Sequence, residues 1–241
     1  MNGAESLIRA SLGGGVDTCF TNPGTSEIHL VAALDRMAEM RCVLGQFEGV
    51  VTGAADGYAR MTEKPAWTPL HLGPGFSNGL ANLHNASQAE VPIINVIGQH
   101  AIYHLRHDTP LTSDIEAIAR PHSKWLRTSH SSAEAGRDAS EAVVAARTAP
   151  GQIATLIVPA DVAWSEGGSL ASLPAVPKAS MPAADAVELA AAMLRSGVRP
   201  RHFDDWKRSV WHRISDGRAH RGGNGRQTLC PLSGHPPRTR L

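Results

Sequence analysis

Gly45-Gln46-Phe47-Glu48-Gly49-Val50-Val51-Thr52-Gly53-Ala54-Ala55-Asp56-Gly57-Tyr58 sets one carboxylate between an apolar run and a segment with a glycine at every fourth position. On a helix, Gly49, Gly53 and Gly57 fall along one face and leave it almost bare of side chains. Three glycines in a helix cost about 3 kcal/mol against alanine. A helix that keeps them is expected to let another backbone come close. Glu48 stands in the first turn, where free backbone amides and the positive end of the helix dipole suit a carboxylate. Locally it reads either as a plain N-terminal acid or as a functional group placed by a strand-to-helix turn.

Working outward, strands and helices alternate. Ser6 to Leu12 predicts a short helix, and Val16 to Thr21 a buried strand that ends at Asn22-Pro23-Gly24. Thr25 or Ser26 is a capping residue for a helix over Glu27 to Met37. Arg41 to Phe47 reads as the strand that feeds Glu48 and its helix. Trp67 to Leu72 follows as a strand, then Gly73-Pro74-Gly75 and a helix through Ala89. Further strands are expected at 91–98, 124–128 and 153–158, with helices at 113–119 and 132–148. This alternation predicts an α/β fold, a parallel sheet flanked by helices on both faces. Ligands in such sheets bind outside the carboxyl ends of the strands. Asn22-Pro23-Gly24, Glu48, His71 with Gly73-Pro74-Gly75, and Gln99-His100 all fall there.

The chain has 241 residues, 5% aromatics and an apolar content dominated by small and aliphatic residues, which suits helices packed on a sheet. It has no apolar run of about 18 residues, so no membrane span is expected. Met1 to Phe20 carries Glu5 and Asp17 and lacks the layout of a signal peptide. Cys19, Cys42 and Cys230 have neither metal-type spacing nor an even number. A cytoplasmic setting is the expectation. The net charge of +1 hides an uneven distribution, because residues 199–241 hold nine Arg and Lys207 against Asp204, Asp205 and Asp216. That segment lacks helical or strand periodicity and organised aromatic platforms, so it reads as a non-native or disordered basic tail rather than a nucleic-acid site. Residues 165–182 are rich in Gly, Ser, Pro and Ala and read as a linker. Ala183 to Ser196 reads as an amphipathic helix, residues 183–198 as the start of a truncated middle domain, and 1–164 as the main domain.

Several motifs compete for the site. Gly75-Phe76-Ser77-Asn78-Gly79 matches a nucleophile elbow after a strand, although Gly73-Pro74 intervenes and the partner acid and His are arbitrary choices. Gly73, Gly75 and Asn78 nearly spell a dinucleotide fingerprint, with Asn where the third Gly belongs. His100, His104 and His107 lack a completing metal-ligand set, so no metal site is expected. His71 is a histidine at a strand end, which is either structural or a proton carrier.

Taken together, Asn22-Pro23-Gly24-Thr25, Leu44-Gly45-Gln46-Phe47-Glu48, Ala54-Ala55-Asp56-Gly57-Tyr58-Ala59-Arg60, His71-Leu72-Gly73-Pro74-Gly75 and Ile97-Gly98-Gln99 resemble one family. They are similar to the N-terminal pyrimidine-binding domain of thiamine-diphosphate-dependent enzymes related to acetolactate synthase and benzoylformate decarboxylase. The resemblance covers residues 1–164. It implies that Glu48 shares a proton with a ring nitrogen of the cofactor's aminopyrimidine and so activates it. It implies a hydroxyl residue at Thr25 and a histidine at His71 against a small 2-keto-acid substrate. Asn22, Pro23, Gly24, Thr25, Glu48, Gly73, Pro74, Gly75 and Asn78 are the implied cofactor-binding residues. Pro110-Leu111-Thr112 stands where the synthases carry Phe-Gln-Glu, while Gly73-Pro74-Gly75 is synthase-like, so decarboxylase and carboligase both stay open. The family holds magnesium and diphosphate on a C-terminal domain with a Gly-Asp-Gly motif, which this sequence lacks. The implied protein is therefore inactive alone and completed by a homodimer partner or another chain. A separate non-catalytic pyrimidine-binding subunit, or a serine hydrolase using Ser77, are the alternatives.

Overall fold

The structure, a computed structural model, describes residues 1–196. Residues 197–241, which contain the segment expected as a basic tail, lie outside the described residues. Met1–Pro182 form one compact unit, and a second begins at Ala183 with helix α8 (Ala184–Arg195).

The first unit is built on six parallel strands: β1 (Thr18–Thr21), β2 (Arg41–Leu44), β3 (Ala66–His71), β4 (Ile93–Gln99), β5 (Trp125–Thr128) and β6 (Ile153–Pro159), in the order β2-β1-β3-β4-β6-β5. Every neighbouring pair is parallel. Helices α1 (Gly3–Gly13), α2 (Ile28–Asp35), α6 (Ser132–Arg147) and α7 (Ala160–Trp164) cover one face. Helices α3 (Glu48–Thr62), α4 (Leu72–Gln88) and α5 (Ile115–Ala119) cover the other. The period-two alternation of strands divides the core accordingly. Ile94 and Val96 of β4 join Leu7, Ile8, Leu30 and Val143 on the first face, while Ile93 and Ile97 join Val51, Leu70, Phe76 and Leu83 on the second.

Local chemistry sets the boundaries. Asn2 accepts the backbone N–H of Glu5 at 2.9 Å and Glu5 accepts that of Asn2, a reciprocal box that starts α1. The helix expected over Glu27 to Met37 divides into a 3-10 turn, Thr25–Glu27, and α2. Helix α4 begins at Leu72, so Gly73-Pro74-Gly75 is its first turn and not a loop before it. Proline is tolerated there because first-turn N–H groups have no partner within the helix. The short α7 directly follows β6 and has too few residues for a periodic signal.

One polar chain crosses the second face. Thr68 donates to Asn95 at 2.6 Å, Asn95 donates to Thr155 at 3.2 Å, and Thr155 meets Ser123. Thr68, Asn95 and Thr155 are fully buried. Such groups are tolerable in a core only when they satisfy one another. The segment expected as a linker is fixed near its start: Gly3 N–H donates to Ser165 O at 3.1 Å, Ser132 Oγ to Glu166 O at 2.7 Å and Ser6 Oγ to Ser169 O at 2.6 Å.

Candidate functional site

Three strands end at one place on the sheet. After β1, Asn22 still bridges in parallel to Leu70 of β3. After β2, the chain turns through Gly45 to Phe47 and enters α3 at Glu48. After β3, His71 precedes α4, and Leu72 takes a left-handed φ of 46° while its side chain is buried. For a non-glycine residue that conformation is strained, and it concentrates at sites that the surrounding structure over-determines. Here it tightens the strand-to-helix turn that sets His71 beside Gly24 and Gly75.

Glu48 is held from both sides. Asn22 Nδ2 donates to Oε1 at 2.9 Å and Asn78 Nδ2 donates to Oε2 at 2.9 Å. The residue is 8% exposed. Each carboxylate oxygen can accept about two hydrogen bonds, so both retain capacity for a ligand. A Cβ on Gly75 would lie 3.4 Å from Glu48 Oε1 and 3.0 Å from the His71 Cβ, so Gly75 lets the carboxylate and the histidine share one cleft.

The second half of the site is a buried carboxylate that the sequence reading left inside a helix. Glu27 is fully buried. Its Oε2 accepts the Gly24 backbone N–H at 2.8 Å and lies 2.9 Å from His71 Nδ1, while Ser26 Oγ donates to its Oε1. Ser26 Oγ also lies 3.0 Å from His71 Nδ1. A carboxylate facing Nδ1 assigns the proton to that nitrogen and leaves Nε2 of the neutral ring as the acceptor. Two glycines make room for the arrangement: a Cβ on Gly24 would overlap the His71 ring, and one on Gly98 would overlap Glu27 Oε1. The signal for Glu27 was its place three residues after Gly24, the spacing at which an acid caps a turn.

The other expected residues separate. Thr25 and Pro74 are exposed, and Pro23 is half-buried on the turn beyond β1. Gly73 is buried under Ser113, whose Oγ occupies the space a Cβ would need, so Gly73 serves the packing of the turn. Ser77 is exposed, six residues beyond the end of β3. Among the described residues no hydrogen bond joins it to a histidine. His104 meets His100 in a T-shaped contact and His107 in a tilted one, with ring centroids 5.8 and 5.5 Å apart, and no group of three metal-binding side chains occurs among the described residues. The glycine stripe is unevenly covered. Gly49 lies under the Phe47 ring, Gly53 faces Asn82 of α4, and Gly57 is open, with Phe47, Val50 and Met61 exposed nearby in sequence. A separate cavity of about 390 Å³ opens beyond β4, β5 and β6, walled by Gln99, Ile102, Leu105, Ile115, Thr128 and Ile157.

A doubly covered parallel sheet whose carboxyl edge gathers a clamped glutamate and a carboxylate-backed histidine defines an α/β domain with a ligand-binding cleft at its strand ends. Residues 1–118 match the family model described as "Thiamine pyrophosphate enzyme, N-terminal TPP binding domain", and they belong to that family. The chain is 54% identical over 197 residues to a Mycobacterium tuberculosis protein named "Putative acetolactate synthase large subunit IlvX", covering 82% of this chain and 38% of the relative. It is 30% identical over 148 residues to benzoylformate decarboxylase of Pseudomonas aeruginosa, covering 61% of this chain and 28% of that enzyme. The solved 4-hydroxybenzoylformate decarboxylase of Rhodococcus jostii shares the fold, with a TM-score of 0.73 at 23% identity over 83% of this chain and 38% of that one. The chain thus spans less than two fifths of the length of each of these proteins. No helix among the described residues is long and apolar enough to cross a membrane.

Proposed function

We propose that residues 1–164 form the pyrimidine-facing half of the active site of a 2-keto-acid decarboxylase or carboligase, with Glu48 as the cofactor-activating carboxylate. The observation that supports this most directly is the clamp on Glu48. Amides from two other segments, Asn22 and Asn78, fix both oxygens and leave lone pairs on each. Those residues fit an aminopyrimidine edge, which offers a ring nitrogen that can share a proton with a carboxyl group. Gly75, with no side chain beside Glu48 Oε1, leaves room for a flat ring. When bound, thiamine diphosphate supplies a nucleophilic carbon for the carbonyl of a 2-keto acid and a sink for the electrons left when carbon dioxide departs.

The protein's part is to orient and to move protons. Glu48 holds or releases a proton at one oxygen, while Asn22 and Asn78 keep it in a single rotamer. His71 offers Nε2 to the substrate side, because Glu27 and Ser26 occupy Nδ1. Thr25, between Gly24 and Ser26, carries an exposed hydroxyl on the same turn. The diphosphate and its magnesium are assigned to a domain outside the described residues, carried by a second chain or copy. Open Gly57 and exposed Val50 and Met61 on α3 suit a contact with it. In this reading 165–182 connect to a further domain that begins near residue 183, and the chain has no turnover by itself.

Calorimetric titration with thiamine diphosphate and magnesium tests the division of labour. The chain alone is expected to bind weakly, and tight magnesium-dependent binding by it would overturn the proposal. In a preparation completed with a diphosphate-binding domain, Glu48→Gln is expected to abolish proton exchange at the cofactor's thiazolium carbon while leaving the circular dichroism spectrum unchanged. Retained exchange would remove Glu48 from the role.

A further inference from the structure

Cys19 and Cys42 are Cα partners in the register of two neighbouring parallel strands. Residues so paired project from the same face of the sheet. Cys19 lies on β1 and is completely buried, whereas Cys42 lies on β2, the outermost strand, and is exposed. Both are free thiols. One partner thus meets solvent and the other does not. We propose that Cys19 and Cys42 form an oxidant-responsive dithiol, with Cys42 as the attacking sulfur and Cys19 as the resolving one, for a hydroperoxide such as hydrogen peroxide.

The Cys19 side chain lowers the Cys42 thiol below its ordinary range against the opposing effect of burial, and Cys42, together with burial, pushes the Cys19 thiol well up. The thiolate is the nucleophilic form, so the proton is shed more readily at the solvent-facing sulfur. Its attack on the peroxide breaks the O–O bond, forms a sulfenic acid at Cys42 and releases one water after protonation. The Cys19 sulfur then attacks Cys42 and gives up its proton. The S–O bond breaks, a second water leaves, and the disulfide forms. Two thiols lose two electrons, and one peroxide gains them. Directly paired strand residues lie near the spacing that a disulfide needs. The edge position of β2, which has a neighbour on one side only, lets it adjust. Cys19 precedes Asn22 by three residues and Cys42 precedes Glu48 by six, so the bond would staple together the two strands that deliver the clamped carboxylate.

The test uses the full chain carrying Cys230→Ser, treated with an equimolar amount of hydrogen peroxide. Both remaining thiols are expected to disappear together, the mass to fall by two hydrogen atoms, a β1–β2 cross-linked peptide to appear on digestion, and dithiothreitol to reverse all three. With Cys42→Ser added, an exposed substitution that leaves the core intact, Cys19 is expected to stay reduced at the same dose. With Cys19→Ser added, Cys42 is expected to stop at a sulfenic acid that dimedone traps. Oxygen adducts on Cys42 with Cys19 still free in the parent chain, or oxidation of Cys19 in the absence of Cys42, would overturn the proposal.

Discussion

At the scale of single residues, the site depends on a carboxylate that was hard to see. Glu48 announced itself by standing between a strand and a glycine-bearing helix, and the structure seats it between Asn22 and Asn78. Glu27 follows Thr25 and Ser26 at the start of the expected helix, where a sequence reading takes it for an ordinary first-turn acid. Its importance comes from burial and from contacts with Gly24, Ser26 and His71, the last of these 44 positions away. Only the fold makes such contacts. Gly98 supplies the sharpest check, because a Cβ there would overlap the Glu27 carboxylate at the end of β4. Gly98→Ala is expected to destabilise the protein by about 1–3 kcal/mol through overpacking. It should also displace Glu27 from His71, read as a change in the imidazole resonances by NMR. A variant of wild-type stability with unchanged resonances would show that the carboxylate does not depend on this space.

Secondary-structure elements were more legible, because strands and helices alternate with clear periods. All six strands of the compact unit were anticipated, with ends shifted by a few residues. The differences arise where tertiary contacts decide. Asn22 leaves β1 to reach Glu48, and Leu72 adopts left-handed backbone to start α4 early, neither of which local propensity encodes. The polar chain under α4 and α5 is likewise a tertiary device, since Thr68, Asn95 and Thr155 come from three strands that are neighbours only in the folded sheet. Asn95→Ala would strand the Thr68 hydroxyl, leave Thr155 with Ser123 alone and open a small cavity. It is expected to cost about 1–3 kcal/mol, measured by denaturant unfolding. A loss within error of zero would show that water or rearranged hydroxyls replace the amide.

For the molecule as a whole, one titrating group gives stability a predictable slope. Burial, together with the neighbouring His84, holds the His122 imidazole below its ordinary value of 6.5. A histidine depressed in the folded state binds its proton more readily when unfolded. The stability it permits is therefore intact above pH 6.5 and declines as pH falls through that value toward the lower folded one. His122→Gln is expected to flatten this part of the profile, measured as the unfolding midpoint between neutral and mildly acidic pH. An unchanged slope would assign the loss to other groups.

The sheet also has a history written into its helices. Leu7 and Ile8 of α1 share the first-face core with Ala139 and Val143 of α6, and Arg147 Nη1 donates to Gly14 O across 133 positions of chain. On a ribosome adding about 5–20 residues per second, the first helix emerges on the order of ten seconds before the helix that covers it. During that interval its apolar stripe has no partner of its own. Helix α1 therefore stays uncovered until α6 is made, and the last turn of α6 is what ends the wait.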